Sequence, residues 1–212
     1  MRVLVADADP VARLGLEAIL TQEHDITVVA AQNGAEVEKL VANHHWDVVV
    51  LDSNLKARDG ATVLELLRGI KRRHHRLPIL VLSSDDKENF VLRALRSGAA
   101  GYISKRATPT ELVRAVRRLG EGRKYMYPAA VEELLAALEN GGDWVVRRLS
   151  DREYEILCLL GSGKSVRQIA YELRRSAKTI HTHRARILEK LKMQTDAQLV
   201  QYVLHRRLVE SP

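Results

Sequence analysis

Alternation between apolar runs and helix-patterned stretches constrains the fold of this chain more than any other feature. Apolar runs cover residues 3–6, 26–30, 47–51, 78–82 and 101–104, and helix-patterned stretches lie near 10–21, 34–43, 61–73, 86–97 and 108–119. The runs have no regular polar face, which is typical of strands buried on both sides of a parallel sheet. Repeated βα units need right-handed crossovers with helices on both faces. The pattern predicts an α/β domain with a five-stranded, doubly wound parallel sheet.

Polar side chains of complementary chemistry follow four of the predicted strands. Asp7 ends the first strand, Asp52 the third, Ser83 the fourth and Lys105 the fifth. In open α/β sheets, ligands bind at the edge where the carboxyl ends of the strands meet. A carboxylate there can accept a phosphoryl group if cations neutralise the charge of the donor and a hydroxyl binds the transferred oxygens. These residues predict a pocket that accepts phosphate.

A second interpretation makes the chain an enzyme. Asp7, Asp9 and Val11 fit the DxDx(T/V) pattern that follows a strand in phosphatases of the haloacid-dehalogenase type. Such a phosphatase needs a further acidic pair on a strand after the lysine. The residues after Lys105 are "RATPTELVRAVRRL", and their one acid, Glu111, lies within a helix pattern. We therefore expect that the chain is not an enzyme.

Residues 1 to about 120 resemble the receiver domain of two-component response regulators, which implies a flavodoxin-like fold. The resemblance rests on the acidic corner at Asp7, on "LDSNLKARDG" with Asp52, on "PILVLSS" with Ser83, and on "GAAGYISK" with Tyr102 and Lys105. It implies that a sensor histidine kinase phosphorylates Asp52 and that Ser83 and Lys105 bind the phosphoryl group. It also implies that Tyr102 swings inward as Ser83 moves.

The resemblance implies a Mg²⁺ site as well. Its ligands would be Asp7, Asp52 and the backbone carbonyl of Asn54. Receivers usually carry a second acid where this chain has Ala8, and losing a carboxylate ligand weakens Mg²⁺ binding. Asp9 could replace that ligand only if the loop turned its carboxylate toward the metal position. Two interpretations stay open: a receiver controlled by phosphorylation, and an atypical receiver that regulates transcription without it.

The net positive charge of the chain lies in its last third. Residues 1–146 contain as many acidic as basic residues, so the net charge of +7 belongs to residues 147–212. A neutral module followed by a basic one indicates nucleic acid bound at the C-terminal end. No stretch is long and apolar enough to predict a membrane-spanning helix.

Residues 149–192 pattern as three helices, and "RRS" forms the turn before the third, "AKTIHTHRARILEKLK". Ser150 and Ser176 are predicted helix caps, and Gly161 and Gly163 are predicted in a turn. Ile180, Ile187 and Leu191 share one face of the third helix. The opposite face carries Lys178, His181, Thr182, Ala185 and Arg186. A short turn followed by a basic helix suits the major groove of DNA.

Residues 147 to about 210 resemble the LuxR-type helix-turn-helix domain of the NarL/FixJ family. The matches include the opening Leu-Ser-x-Arg-Glu, Ile169-Ala170, "KTI" and His183-Arg184. The resemblance implies that Lys178, Thr179 and Arg184 hold phosphates and that His181 and Thr182 face base edges. Arg186 completes the predicted DNA-binding set. The same resemblance implies that the last helix, with Leu199, Tyr202, Val203 and Leu208, takes part in dimerisation.

These observations predict a receiver at 1–120, a helical linker at 121–146 and an all-α, four-helix DNA-binding domain at 147–212. The linker helix is predicted to begin near Pro128 and to end near Glu139. Expected partners are double-stranded DNA, a sensor histidine kinase, a second copy of the chain and RNA polymerase. A cytoplasmic location is expected because Met1 leads directly into a strand and Cys158 is the single cysteine.

Overall fold

A parallel sheet organises the N-terminal part of the chain. The computed structural model describes residues 1–57, 61–84, 90–128, 131, 149–205 and 208. The strands are β1 (Arg2–Ala6), β2 (Thr27–Ala31), β3 (Val48–Asp52), β4 (Ile79–Ser83), β5 (Gly101–Ser104) and β6 (Tyr125–Met126). Their order is β2-β1-β3-β4-β5-β6, and every pairing is parallel. The predicted α/β class is confirmed, with a sixth, two-residue strand added at one edge.

Helices cover both faces of this sheet. They are α1 (Pro10–Thr21), α2 (Gly34–Asn43), α3 (Val63–Arg73), α4 (Phe90–Arg96) and α5 (Pro109–Gly120). One apolar core packs α2, α3 and α4 against alternate strand residues such as Leu4 and Leu51. The other packs α1 and α5 against the intervening residues, such as Val5 and Val50. Burial on both faces explains why these strands carry no polar face.

The segment predicted as a helical linker begins with a short strand rather than leading directly into a helix. After α5 the chain forms β6, where Tyr102 pairs with Met126. Pro128 and Val131 are helical, and Val131 N donates a hydrogen bond to Tyr127 O (3.2 Å). Most of the predicted linker helix, including its end near Glu139, lies outside the described residues.

A second compact unit follows at the C-terminus. Its helices are α6 (Asp151–Gly161), α7 (Val166–Glu172), α8 (Ala177–Leu191) and α9 (Asp196–His205). Ser150 caps α6 and Ser176 caps α8, as predicted. None of the helices in the described ranges combines the length and apolar character needed to cross a membrane.

Two expectations about this unit were wrong. Gly161 is the last residue of α6 rather than a turn residue. Glycine is needed there for close packing, because a Cβ would lie 2.3 Å from Val203 Cγ1 on α9. Only Gly163, with φ +78°, occupies the turn. Leu199 and Val203 are fully buried in the core of the unit, so neither is available for dimerisation.

Candidate functional site

The four predicted polar residues come together at the carboxyl edge of the sheet. Asp7 follows β1, Asp52 ends β3, Ser83 ends β4 and Lys105 follows β5. Asp7, Asp52 and Ser83 are only 1–3% exposed. The register aligns these strand ends, since Asp52 pairs with Leu82 and the Lys105 amide donates to Ser83 O (2.7 Å).

Lys105 joins the two buried carboxylates. Its Nζ lies 2.6 Å from Asp7 Oδ2 and 3.0 Å from Asp52 Oδ1. The contact with Asp7 is an aligned hydrogen bond, whereas Asp52 Oδ1 accepts no hydrogen bond within the described residues. The contact with Asp52 is an ion pair. The pocket therefore holds two carboxylates around one ammonium group.

The pocket shifts the pKa of both partners. Burial raises the pKa of Asp52; the Lys105 ammonium opposes this shift and the Asp7 carboxylate adds to it. For Lys105, burial favours the neutral amine, but the contacts with Asp7 and Asp52 outweigh it and raise the pKa. The lysine is therefore fully charged at neutral pH.

The predicted Mg²⁺ ligands are brought together only in part. Asp7 and Asp52 share the pocket, and Leu55 N donates to Asp52 O (3.1 Å) as the chain turns away after β3. Asp9 instead caps α1, where its Oδ1 accepts hydrogen bonds from Val11 N (2.8 Å) and Ala12 N (3.3 Å). Within the described ranges, no three acidic, histidine or cysteine side chains form a cluster that could hold a metal ion.

Tyr102 is already inside the domain. Its side chain is 3% exposed in the core beneath α3 and α4, and its ring centroid lies 6.2 Å from that of Phe90. Its backbone lies on β5, three residues before Lys105.

Two supports of the pocket were not predicted from the sequence. Arg13 Nη1 donates to Asp7 O (2.7 Å), which ties α1 to the end of β1. The loop after Asp52 packs against the start of α2, where Gly34 N donates to Lys56 O (3.0 Å). A Cβ at Gly34 would lie 2.5 Å from Ala57 Cα. A glycine directly before a helical pattern was the available signal, although it does not identify its contact partner.

Helix α8 carries the predicted DNA-binding residues with the predicted orientation. Ile180 and Ile187 are fully buried, whereas Lys178, His181, Thr182 and Arg186 are exposed. Thr182 Oγ1 donates to Lys178 O (3.0 Å), so the hydroxyl stays close to the helix.

Two predicted phosphate-binding residues also have contacts within the unit. Thr179 N donates to Ser176 Oγ (3.1 Å) in the helix cap. Arg184 Nε lies 2.6 Å from Asp196 Oδ1 at the start of α9. Arg174 and Arg175, which are not among the predicted DNA-binding residues, are both exposed in the turn before α8, and Arg174 has φ +49°. The "RRS" turn was visible in the sequence but was interpreted only as a connection.

Both units match known family models. Residues 3–117 match the response regulator receiver domain, and residues 147–203 match the bacterial regulatory proteins of the luxR family. The oxygen regulatory protein NreC of Staphylococcus carnosus is 34% identical over 99% of this chain and 100% of its own length. The probable transcriptional regulatory protein NarL of Mycobacterium tuberculosis is 34% identical over 99% of this chain and 96% of its own length.

Solved structures extend the similarity. RcsB from Salmonella enterica serovar Typhimurium, bound to promoter rprA in the presence of the phosphomimetic BeF3⁻, has a TM-score of 0.66 and 28% identity. The match covers 95% of this chain and 97% of RcsB. The response regulator ChrA of a heme-sensing two-component system has a TM-score of 0.52 and 32% identity, with 98% of each chain covered. The chain belongs to the response regulators that join a receiver domain to a LuxR-type helix-turn-helix domain.

Proposed function

We propose that this chain regulates transcription by binding duplex DNA through α8, under the control of phosphorylation at Asp52 by a sensor histidine kinase. One observation carries the proposal. A buried pocket of Asp7, Asp52, Ser83 and Lys105 occurs in the same chain as an exposed cationic helix. The first arrangement suits a reversible change of charge, and the second suits a polyanion.

Phosphoryl transfer assigns a role to each residue of the pocket. An Asp52 carboxylate oxygen forms the new O–P bond as the N–P bond of the donor phosphohistidine breaks. Lys105 then offsets the charge of the phosphoryl group, and the Ser83 hydroxyl donates to one of its oxygens. The proximity of Lys105 to both carboxylates supports this assignment.

The donor set fits a sparse Mg²⁺ site. Asp7 and Asp52 would supply carboxylate oxygens and Asn54 a backbone carbonyl; Mg²⁺ commonly retains several waters beside one or two carboxylates. When bound, the ion would neutralise charge on the incoming phosphoryl group. Ala8 contributes no ligand, and Asp9 is engaged as the cap of α1. We therefore expect Mg²⁺ to bind more weakly than in receivers with two adjacent acids.

On the DNA side, we assign Lys178, Thr179 and Arg184 to phosphates and His181 and Thr182 to base edges. Phosphate contacts position the domain, and contacts in the groove select the sequence. Arg186 lies on the same exposed face. RcsB is described in complex with promoter DNA, which supports this assignment.

We infer that the working form is a cytoplasmic homodimer, because two recognition helices can read two half-sites. RcsB dimers bound to two parallel DNAs support this inference. Since Leu199 and Val203 are buried, a dimer contact through α9 would use residues such as Leu204, which is 41% exposed.

Labelling with a small phosphodonor tests the role of Asp52. The native chain should become labelled in the presence of Mg²⁺, Asp52→Ala should not, and Asp9→Asn should be labelled as the native chain is. An absence of label in the native chain would overturn control by phosphorylation and favour the atypical receiver. DNA binding is measured separately on the same proteins, so the two halves of the proposal can fail independently.

A further inference from the structure

Hydrogen bonds from the chain itself hold the acidic corner after β1. The Asp7 carboxylate accepts one on each oxygen: Asp9 N donates to Oδ1 (2.9 Å) and Lys105 Nζ donates to Oδ2 (2.6 Å). An aspartate that accepts from the amide two residues further on forms a compact turn. Both oxygens of Asp7 are therefore engaged, and the ammonium of Lys105 is aligned on one of them.

Arg13 reaches this corner from α1. It is the fourth residue of the helix, and helical side chains lean toward the N-terminus of their helix, so its guanidinium extends back over the first turn. Its Nη1 donates to Asp7 O (2.7 Å). Asp7 is only 1% exposed, and a buried carbonyl without a donor is costly. Arg13 supplies that donor.

Ala8 lies between two peptide groups that are held in this way. The Asp7 carbonyl belongs to the peptide group before Ala8, and the Asp9 amide belongs to the one after it. Arg13 holds the first, and the Asp7 carboxylate holds the second. Ala8 has only a methyl side chain and adds no polar contact. Without Arg13, the backbone of Asp7 would lose a support, and the direction of its carboxylate would no longer be fixed.

The alignment of Lys105 on Asp7 leaves an oxygen of Asp52 available. Lys105 Nζ lies 3.0 Å from Asp52 Oδ1, and this buried oxygen accepts no hydrogen bond from the residues that the structure describes. A carboxylate attacks phosphorus through a lone pair, which an aligned ammonium would occupy. Asp7 therefore keeps the cation beside the attacking oxygen without blocking it.

We propose that Arg13 is a positioning residue for phosphoryl transfer to Asp52, acting through Asp7 and Lys105. The guanidinium fixes the Asp7 carbonyl, the Asp7 carboxylate holds the ammonium of Lys105, and the Asp52 oxygen stays available for attack. The inference rests on the proposed function, since it assigns Arg13 a part in the same reaction. Arg13 acts on the pocket residues and does not contact the phosphoryl group.

The experiment measures the rate at which acetyl phosphate labels the full-length chain. In this reaction an Asp52 oxygen forms the new O–P bond, the bond from phosphorus to the acetyl oxygen breaks, and acetate leaves. Arg13→Met keeps the apolar stem of the side chain and removes its donors. We expect this variant to fold and to be labelled about tenfold more slowly, because the pocket residues are misaligned.

Two further variants test what the position needs. Arg13→Lys restores a charged donor and should be labelled within about threefold of the native rate. Arg72→Ala, which removes an exposed arginine near the end of α3, is the matched control and should be labelled at the native rate.

An NMR signal distinguishes positioning from a general effect on stability. The amide proton of Asp9 reports on the Asp7 carboxylate because it donates to Oδ1. Its resonance should move upfield in Arg13→Met, as this hydrogen bond weakens, and should keep its native position in Arg13→Lys and Arg72→Ala. Urea denaturation of the same proteins measures stability.

This signal needs no phosphoryl transfer, so the two proposals fail in different ways. If the native chain is not labelled, control by phosphorylation fails, and the Asp9 resonance still decides whether Arg13 orients Asp7.

Three results would overturn the positioning role. The first is labelling of Arg13→Met at the native rate. The second is slow labelling and lower stability of Arg13→Met with an unchanged Asp9 resonance, which would assign Arg13 to the fold alone. The third is labelling of Arg13→Lys as slow as that of Arg13→Met, which would show that a donor at this position does not restore the reaction.

Discussion

In the N-terminal unit the important charges are buried and paired, whereas in the C-terminal unit they are exposed. Asp7 and Asp52 are 1% and 3% exposed and share the ammonium of Lys105, but Lys178 and Arg186 on α8 face solvent. A buried charge interacts strongly with its neighbours because little water screens it. An exposed cation interacts weakly with each neighbour but remains free for a polyanion.

This difference indicates what each unit is suited to do. A phosphoryl group added to this pocket would bring further negative charge beside two carboxylates that share one ammonium group, so we expect the domain to respond by rearranging its contacts. The exposed cations Lys178 and Arg186 can attract a polyanion without first breaking a buried contact. One unit is therefore suited to receive a signal, and the other to deliver it.

The largest effect should come from Lys105→Ala, which leaves two buried carboxylates without their shared cation. We expect the free energy of unfolding of the N-terminal unit to fall by about 3 kcal/mol at neutral pH, as when one partner of a buried ion pair is removed. The Asp52 pKa, already raised, should rise further. A carboxyl with a raised pKa in the folded state destabilises that state as pH rises through that pKa. The loss should therefore shrink in acid.

Urea denaturation from pH 4 to pH 8 measures this loss. Lys39→Ala, an exposed lysine on α2, is the matched control and should change stability by less than about 0.5 kcal/mol. If Lys105→Ala and Lys39→Ala lowered stability equally, the expectation that the buried charge contributes more than the exposed one would be wrong.

Steric contacts at two glycines extend the comparison to packing in both units. Gly161→Ala would place Cβ 2.3 Å from Val203 Cγ1, and Gly34→Ala would place Cβ 2.5 Å from Ala57 Cα. We expect each substitution to cost about 2 kcal/mol in its own unit. Adding Val203→Ala should recover part of the loss from Gly161→Ala, because the clashing atoms are removed. Gly15→Ala, with open space around it, should not destabilise α1.

Lys178→Ala tests the exposed side of the comparison. It should weaken binding to many duplexes by about tenfold and lower the salt slope by about one, because one phosphate contact is lost. His181→Ala should instead alter the preference at one base pair. Titrations of several duplexes at three salt concentrations distinguish the two. A loss confined to one sequence in Lys178→Ala would contradict its assignment to phosphate.

The smallest effect concerns Glu153, a buried charge in the unit whose other important charges are exposed. Glu153 is buried, and Lys190 Nζ lies 2.6 Å from its Oε2. Burial favours the protonated form, but the contacts with Lys190 and Ser150 outweigh it and lower the pKa of Glu153. We expect Glu153→Gln to cost about 1 kcal/mol, since Lys190 is partly solvated.

The pH dependence gives this prediction its sign. A carboxylate with a lowered pKa in the folded state stabilises that state above its ordinary pKa and loses this contribution as pH falls through the folded value. The native unit should therefore lose stability below about pH 4.5, and Glu153→Gln should lose less over that range. Thermal unfolding of the two proteins between pH 3 and pH 7 provides the comparison.

The sheet was predictable because its strands are continuous apolar runs. Each of the five predicted strands begins and ends within one residue of the observed bounds. The polar residues at their ends were predictable for the same reason, since parallel strands place their carboxyl ends at one edge. Strand β6 was not, because a two-residue strand has no periodicity to detect.

What the sequence did not reveal depends on contacts between distant residues. Leu199 and Val203 have the pattern of an exposed dimer face as readily as that of a core face, and only packing against α6 decides between them. Asp9 was equally ambiguous, because an aspartate before a proline serves as a helix cap or as a metal ligand.

Strand β6 joins the chain that leaves the receiver to β5, the strand that leads into the pocket of Asp7, Asp52, Ser83 and Lys105. Tyr127 N donates a hydrogen bond to Tyr102 O (3.1 Å), so the exit segment is attached to the backbone of β5, which leads into Lys105. A two-residue edge strand is held by few backbone hydrogen bonds, although the Tyr125 side chain is buried in the core of the domain. We expect the backbone amides of β6 to exchange with solvent faster than those of the rest of the sheet. Any shift of β5 should be transmitted first to this short edge strand.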